Sequence, residues 1–298
     1  MSDLTFDPQK IAIVAITSYP KWYSGRLRSI KHTDKVRGDL ALELAQKATE
    51  SGYHLVIADG KSTKTFQKEL HAISGVILIK RKAASSGEGK RIALERAMKI
   101  QGVEVLVLTE PEKVSFVTDG IGQVVLPLLH NKADLVVPKR NDVLFKATYP
   151  RYMYISEVEG NGIYNEALRA NNLLPKELYD MDSFFGPRAL RNEKQLVSLF
   201  KRKYLFTGMS ILEKLYDPDM YSHVLYFPIV NALKKKLRVM SVEVPFRYPH
   251  LQKENEDVGR REEFIAKRSL QRVSILIDLM HFLSFLQKNK NSRFRILP

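Results

Sequence analysis

Two carboxylates stand two residues apart directly after an apolar run of the sequence. The run spans residues 103–108, Val-Glu-Val-Leu-Val-Leu, and Thr109, Glu110, Pro111 and Glu112 follow it. A short valine-rich run without helical spacing predicts a strand buried on both faces, and ligands of open α/β sheets bind beyond the carboxyl ends of such strands. In extended backbone Glu110 and Glu112 leave on the same side, so they could hold a hard divalent cation together with phosphate oxygens. The alternative is a polar loop with two solvated glutamates.

A second stretch that could bind phosphate is the segment 87–91, Gly-Glu-Gly-Lys-Arg. It does not fit the phosphate loop of nucleoside triphosphatases, because Ala84 and Arg91 stand where that motif needs glycine and Ser or Thr. A dinucleotide-binding fingerprint is excluded too, because the first apolar run is not followed by spaced glycines. What is left is a helix start at which backbone N–H groups, Lys90 and Arg91 could face a diphosphate. Ordinary helix initiation explains the same residues.

The composition restricts the class of partner. The formal net charge is +15, and it is spread along the chain. This charge predicts an anionic partner: nucleic acid, an acidic membrane face or phosphorylated small molecules. The chain has no cysteine, which excludes a disulfide framework, a thiolate zinc site and a cysteine nucleophile. Residues 1–10 contain no apolar core, so we expect no uncleaved signal peptide and a cytoplasmic location.

The elements that must position these residues follow from the apolar periodicity. Strands are predicted at 11–16, 54–58, 76–79, 103–108, 135–137 and 239–244, and helices at 36–51, 64–72, 88–101, 121–130, 188–200, 208–215 and 259–287. The alternation predicts an α/β fold with a Rossmann-like, mostly parallel sheet and helices on both faces. We expect a single domain over 1–298, with a nucleotide-binding half at 1–140, an acceptor-side half at 141–258 and a basic amphipathic helix at 259–298.

In this order the motifs resemble the A-type (GT-A) fold of nucleotide-sugar glycosyltransferases, family-2-like members in particular. The motifs are Thr17-Ser18-Tyr19-Pro20 after the first strand, Asp59-Gly60 with Ser62 after the second, the helix start at 87–91, and Glu110-Pro111-Glu112. The resemblance implies that Thr17 and Asp59 lie in the donor site, where Asp59 contacts the base or ribose. It also implies that Glu110 binds ribose, and that Glu110 and Glu112 hold the Mg²⁺ or Mn²⁺ that bridges the diphosphate.

The sequence departs from this family at the acidic pair, which is usually Asp-x-Asp. Each glutamate is one methylene longer and Lys113 is adjacent, so a cation from the protein could partly replace the metal. In several members of the fold a histidine near the C-terminal end completes the metal shell, and His250 stands at the corresponding place. A lone histidine is also often a hydrogen-bonded structural residue.

The segment 180–188, Asp-Met-Asp-Ser-Phe-Phe-Gly-Pro-Arg, is similar to the acceptor-side segment that follows the sugar site in this family. Such a loop often carries the carboxylate that deprotonates the acceptor hydroxyl in inverting enzymes. The resemblance points to Asp182 for this role, then to Asp180, with Glu157 or Glu159 behind them. An aspartate that caps a turn is the alternative.

The predicted function is transfer of a sugar from a nucleoside-diphosphate donor to a hydroxyl acceptor, which could be phosphorylated or lipid-linked. Lys90 and Arg91 would help to neutralise the departing diphosphate. The last helix has apolar residues at helical spacing beside many cations, a pattern that can lie on an anionic bilayer or pack on its own domain. The alternatives are nucleotidyl transfer on the same sheet, and a non-catalytic nucleic-acid-binding or scaffold protein, although no known nucleic-acid module is recognisable.

Overall fold

The structure is a computed structural model that describes residues 6–80, 85–175, 180–203 and 222–288. The strands are β1 Ile11–Thr17, β2 His54–Asp59, β3 Val76–Lys80, β4 Val105–Leu108, β5 Leu135–Arg140, β6 Arg188–Arg191 and β7 Val239–Val244. The α-helices are α1 Thr33–Glu50, α2 Lys64–Ala72, α3 Ser86–Ala97, α4 Ile121–Leu129, α5 Asp142–Thr148, α6 Arg151–Ala170, α7 Lys194–Lys201, α8 Phe227–Lys234, α9 His250–Glu254 and α10 Arg261–Lys288. Short 3₁₀ or π segments occur at Pro8–Lys10, Phe116–Gly120, Ser183–Phe185, Ser222–Tyr226 and Asn255–Gly259.

The strands form one seven-stranded sheet in the order β3-β2-β1-β4-β6-β5-β7. Every strand pair is parallel except the pairs that β6 makes with β4 and β5. The chain moves outward from β1 to β3 and then returns to place β4 beside β1. Such a reversal of strand order opens a crevice at the carboxyl ends of the strands, where ligands of this class of sheet bind. The predicted α/β class with a mostly parallel sheet is confirmed.

Both faces of the sheet are covered, as the continuous apolar runs predicted. Along β1, Ala12 and Val14 belong to one buried apolar cluster, whereas Ile11, Ile13 and Ala15 belong to the other. Helices α3, α6, α7, α8 and α10 contribute to the first cluster, and α1, α2 and α4 contribute to the second. Side chains that alternate between two cores leave β1 fully buried, because successive residues of a strand point to opposite faces.

One predicted helix is wrong at its start. Residues 188–191 form strand β6, and the helix begins only at Lys194. Ala189 and Leu190 are fully buried between β4 and β5, so pairing within the sheet overrides the helical spacing of this short segment. Helices α5 and α6 were not predicted. The predicted helix at 208–215 lies outside the described residues.

The C-terminal helix α10 packs its apolar face on the domain. Ile275, Leu279 and Phe282 are buried in the core, and a salt bridge from Arg272 to Glu159 ties the helix to α6. By length and composition alone, the span Arg261–Gln287 could cross a membrane, and 39% of its most apolar window is buried. Apolar residues on its outer side, Leu270, Val273 and Met280, are exposed. Contact with a membrane surface stays a prediction.

Candidate functional site

The two glutamates that follow β4 line one cleft at the carboxyl end of the sheet. Its empty volume is about 810 Å³, including the part open to solvent. The cleft is lined by charged residues (Arg37, Glu110, Glu112, Lys113, Arg140, Glu157, Lys267 and Arg268), by aromatic residues (Tyr149, Phe184, Phe185, Tyr226, Phe246 and Tyr248) and by Met153, Gly186, Leu225, Gln252 and Gln271. Both glutamates therefore lie in one site, although a turn at residues 110–113 carries them rather than the predicted extended backbone.

Each glutamate has its own cation. The Tyr19 hydroxyl donates to Glu112 Oε1 at 3.2 Å, and Arg37 Nη1 lies 3.8 Å from the same oxygen. Lys113 Nζ lies 3.8 Å from Glu110 Oε2, and this buried oxygen has no hydrogen-bond partner among the described residues. A buried carboxylate oxygen without a partner costs free energy, so it is a candidate ligand contact.

Gly186 allows the close approach of the backbone to Glu110. Its φ is +100°, and a Cβ at this position would lie 2.7 Å from Glu110 Cδ. Only glycine meets both demands, because other residues rarely adopt this backbone region and have no room beside the carboxylate. The segment that leads into β6 therefore helps to hold Glu110 in the cleft.

Lys113 is a buried cation among charges and rings. Its Nζ lies 4.7 Å from the ring centre of Phe185 and 5.0 Å from that of Phe246. Burial lowers the pKa of Lys113; the charge of Glu110 opposes this effect and that of Arg140 adds to it. The protein thus supplies a cation directly beside the acidic pair, as its position in the sequence suggested.

Asp182 is tied to Arg140 and does not line the cleft. Its carboxylate accepts from Arg140 Nε and Nη2, both at 2.7 Å, from the Arg140 backbone N–H at 3.1 Å and from Asn161 at 2.8 Å. Arg140 also donates to Glu157 at 2.5 Å. Burial alone would raise the pKa of Asp182, but the charge and hydrogen bonds of Arg140 outweigh burial and hold the pKa below its usual value. In this geometry the Asp182 carboxylate is held by Arg140 outside the cleft, and its role as general base stays a prediction.

Two further acids proposed on the acceptor side, Asp180 and Glu159, are also paired. Asp180 is an exposed residue that accepts from Arg169 at 2.6 Å, and Glu159 accepts from Arg272 at 2.7 Å. Neither lines the cleft. The structure gathers Glu157 near the site but leaves Asp180 and Glu159 on the surface.

Asp59 and Thr17 form a buried hydrogen-bond cluster at the ends of β1 and β2. Asp59 is 0% exposed, and it accepts from Thr17 at 2.7 Å, from Ser62 at 2.5 Å and from Gln67 at 2.8 Å. In this arrangement its oxygens are satisfied within the protein, and it joins the loops that follow the two strands. Direct contact with a nucleotide stays a prediction for both Asp59 and Thr17.

Lys90 and Arg91 belong to the first turns of α3, which packs on β1 and β2. The Ser85 side chain caps this helix by accepting from the Glu88 N–H, so local hydrogen bonding accounts for the helix start. Neither cation lines the cleft. A contact with diphosphate is therefore a prediction that this geometry does not support.

The predicted metal set is not assembled. His250 lies at the start of α9 with its side chain 80% exposed, 3.8 Å from Glu254, and it is not part of the cleft. Within the described parts of the chain, no three His, Asp or Glu residues are grouped so that they could hold a metal ion. Lys113 and Arg37 each lie 3.8 Å from one of the two glutamates and oppose their charge. The set Glu110, Glu112 and His250 therefore does not fit a metal site in this structure.

Sequence reasoning missed Arg37, Tyr149, Glu256, Lys267 and Arg268. Arg37 and Glu256 form a salt bridge of 2.7 Å although they stand 219 positions apart. A local sequence pattern contains no signal for such a pair, because helix packing brings the two residues together.

No protein-family model matches the chain, and no curated protein matches it. Its structure is similar to that of glucosyl-3-phosphoglycerate synthase from M. tuberculosis, with 13% identity, a TM-score of 0.44 and coverage of 91% of this chain and 80% of the other. S. aureus TarS 1-349 is 14% identical, with a TM-score of 0.42 and coverage of 94% and 74%. The 4-diphosphocytidyl-2C-methyl-D-erythritol synthase from Anaerococcus prevotii is 11% identical, with a TM-score of 0.43 and coverage of 89% and 100%. At these identities and scores, the likeness carries no argument about the reaction.

Proposed function

We propose that the cleft binds a nucleoside-diphosphate sugar and that the protein transfers the sugar to a hydroxyl acceptor. The observation that carries this proposal is the pair Glu110 and Glu112 at the carboxyl end of β4, with Lys113 and Arg37 each 3.8 Å from one of the two carboxylates. Carboxylates accept hydrogen bonds from sugar hydroxyls, and cations stabilise the negative charge that develops on a departing diphosphate. One cleft therefore holds groups for both parts of the donor.

The aromatic residues of the cleft suit a sugar. Tyr149 and Tyr248 are buried, and neither hydroxyl group has a hydrogen-bond partner within the part of the chain that the structure describes. An aromatic ring offers an apolar face to a sugar ring, and its hydroxyl can bond to a sugar hydroxyl. Two unpartnered buried hydroxyls in one cleft favour a ligand rich in polar groups.

Proton transfer from the acceptor needs a carboxylate that is not already occupied. Glu157 is bound to Arg140 and Glu112 accepts from Tyr19, whereas Glu110 Oε2 has no hydrogen-bond partner. We assign the general base to Glu110 on this ground. Glu110→Gln should retain donor binding and lose turnover.

A panel of nucleoside diphosphates, with and without Mn²⁺, tests donor binding by thermal shift. A ligand at about a hundredfold excess over its Kd stabilises the folded state by about 2.7 kcal/mol, which raises the melting temperature by several degrees. No shift with any nucleoside diphosphate would refute the proposal. Release of nucleoside diphosphate from a panel of sugar donors then identifies the substrate, whereas release of pyrophosphate from a triphosphate would indicate nucleotidyl transfer instead.

Glu112→Ala decides whether this carboxylate contacts the donor. If it binds the donor, its loss weakens nucleoside-diphosphate binding several-fold. If it only balances Arg37, its loss leaves binding unchanged or tighter, because an anion then meets a more positive cleft. Glu104→Ala is the matched control, since Glu104 precedes the same strand and pairs with Lys10 at the surface.

A further inference from the structure

The part of the cleft beneath α10 holds a cluster of charges of which the donor proposal uses only Arg37. Glu256 is fully buried; it accepts from Arg37 Nη2 at 2.7 Å and from Gln252 at 3.1 Å, and Arg268 Nη2 lies 3.9 Å from its other oxygen. One carboxylate is thus shared by two guanidinium groups. Lys267 adds a further cation and forms no ion pair with any residue in the described part of the chain.

Several donors of this cluster are buried and have no partner. Among the described residues, the Nε atoms of Arg268 and Arg37 and the hydroxyl of Tyr248 have no hydrogen-bond acceptor. The same cluster contains one acceptor without a donor, Glu256 Oε2. Arg268 Nη2 is 3.9 Å from its nearest carboxylate, too far for a hydrogen bond. Arg268 therefore presents an Nε–Nη2 edge with unused N–H groups, and Tyr248 is 7% exposed and lines the same cleft.

Buried donors without acceptors are costly. The three unpartnered donors outnumber the single unpartnered acceptor, Glu256 Oε2, so an acceptor from outside would satisfy the donors that Glu256 leaves unpaired. The edge of a guanidinium group binds two oxygens of a phosphate or carboxylate with parallel N–H bonds. A phosphate has enough oxygens to accept from Arg268, Arg37 and Tyr248 together. Lys267 adds a point charge that attracts an anion.

We infer that this end of the cleft, formed by Arg37, Tyr248, Lys267 and Arg268, binds a phosphoryl group. Which molecule carries this phosphoryl group is inferred from the proposed transferase function. That molecule is either a phosphorylated acceptor or the donor, through its diphosphate. Both sources have the same chemistry, and the experiment below separates them.

Binding of inorganic phosphate to the full chain is measured by calorimetry, with chloride at equal ionic strength as the reference. Arg268→Gln and Lys267→Gln should each weaken phosphate binding, Arg268→Gln by about tenfold or more because it removes charge-assisted hydrogen bonds. Arg272→Gln is the matched control, because Arg272 lies one turn further along α10 and pairs with Glu159 outside the cleft. Lys267 has no ion pair to lose, so its variant tests the site even if Arg268→Gln folds poorly.

Phosphate binding that both variants weaken and the control retains would support the site. Phosphate that binds no better than chloride, or that binds Lys267→Gln and a folded Arg268→Gln as well as the unchanged protein, would overturn it. If a nucleoside diphosphate displaces the phosphate, the donor supplies the phosphoryl group; if both bind together, the acceptor supplies it. Failure of every nucleoside diphosphate to bind, with phosphate binding intact, would refute the proposed donor and leave the phosphoryl site standing.

Discussion

Replacing Asp182 by asparagine separates two roles that this side chain could have. As a general base, Asp182 would be needed for turnover and dispensable for stability. As the partner of Arg140, it would be needed for the fold. Its carboxylate is 5% exposed and bonds to two side-chain nitrogens of Arg140, itself 2% exposed. The substitution keeps the shape, removes the charge and turns an amide N–H₂ toward a guanidinium donor.

The size of the effect follows from this burial. Breaking a buried ion pair by removing one partner costs about 3–5 kcal/mol, because the other charge is left in the interior. Glu157 still bonds to Arg140, so we expect a value near the lower end of this range. For a domain of this size, a loss of about 3 kcal/mol lowers the melting temperature by roughly 6–12 °C.

Urea denaturation of Asp182→Asn measures this loss of stability, and Asp180→Asn is the control variant. Asp180 has a side chain that is 57% exposed and pairs with Arg169 at the surface, so its substitution should cost about 0–1 kcal/mol. If Asp182→Asn unfolds as easily as Asp180→Asn and yet loses all turnover, the structural role is refuted and the base assignment is restored.

The loss of stability at low pH gives an independent check of the ion pair between Asp182 and Arg140. The pKa of Asp182 is lowered in the folded state, so its stabilising effect is complete above the unfolded pKa of about 3.9 and is lost as the pH falls below that value. The variant should lack this part of the acid-induced loss. If the unchanged protein and Asp182→Asn lose stability equally steeply at low pH, the lowered pKa of Asp182 is contradicted.

Two further predictions concern the two ends of the cleft. Gly186→Ala should destabilise the protein by about 1–3 kcal/mol and reduce turnover, because its φ of +100° is strained for alanine and its Cβ would displace Glu110. Gly162→Ala is the control, because Gly162 lies in helix α6 with open space around it, and its free energy of unfolding in urea should be unchanged or higher. If both variants lose the same free energy of unfolding, the proposed close contact between Gly186 and Glu110 is refuted. Burial and the charges of Arg37 and Arg268 lower the pKa of Lys267 to about 8. Lys267 therefore loses its positive charge as the pH rises through about 8, and an anion should then bind less tightly. Sulfate is the suitable probe, because its own charge does not change in this pH range. Calorimetry of Lys267→Gln should show no such fall, and a fall of equal size in both proteins would assign it to another group.

Much of the sheet was predictable from local pattern. Strands β1, β2 and β4 are apolar at almost every position because both of their faces are buried. Such a continuous apolar run is recognisable in the sequence. Strand β6 has no such apolar run and could not be recognised in the sequence. Its four residues begin and end with arginine, and Arg188 is fully buried, where it donates to the backbone oxygens of Ser183, Pro187 and Leu225.

The sequence by itself determined that Glu110 and Glu112 follow directly after a buried strand, at the edge of the sheet where ligands bind. The extended backbone predicted between them is wrong: the strand ends at Leu108, and both glutamates lie in a turn that the Lys113 N–H closes by donating to the Glu110 carbonyl at 3.2 Å. Only the tertiary structure decided what each acid does. Asp182 meets Arg140 across 42 positions, and Arg37 meets Glu256 across 219. Strand order and helix packing set these pairs. A carboxylate that is free and one that is bound to a buried arginine look the same in a sequence, because the difference lies entirely in which distant residue the fold brings beside it.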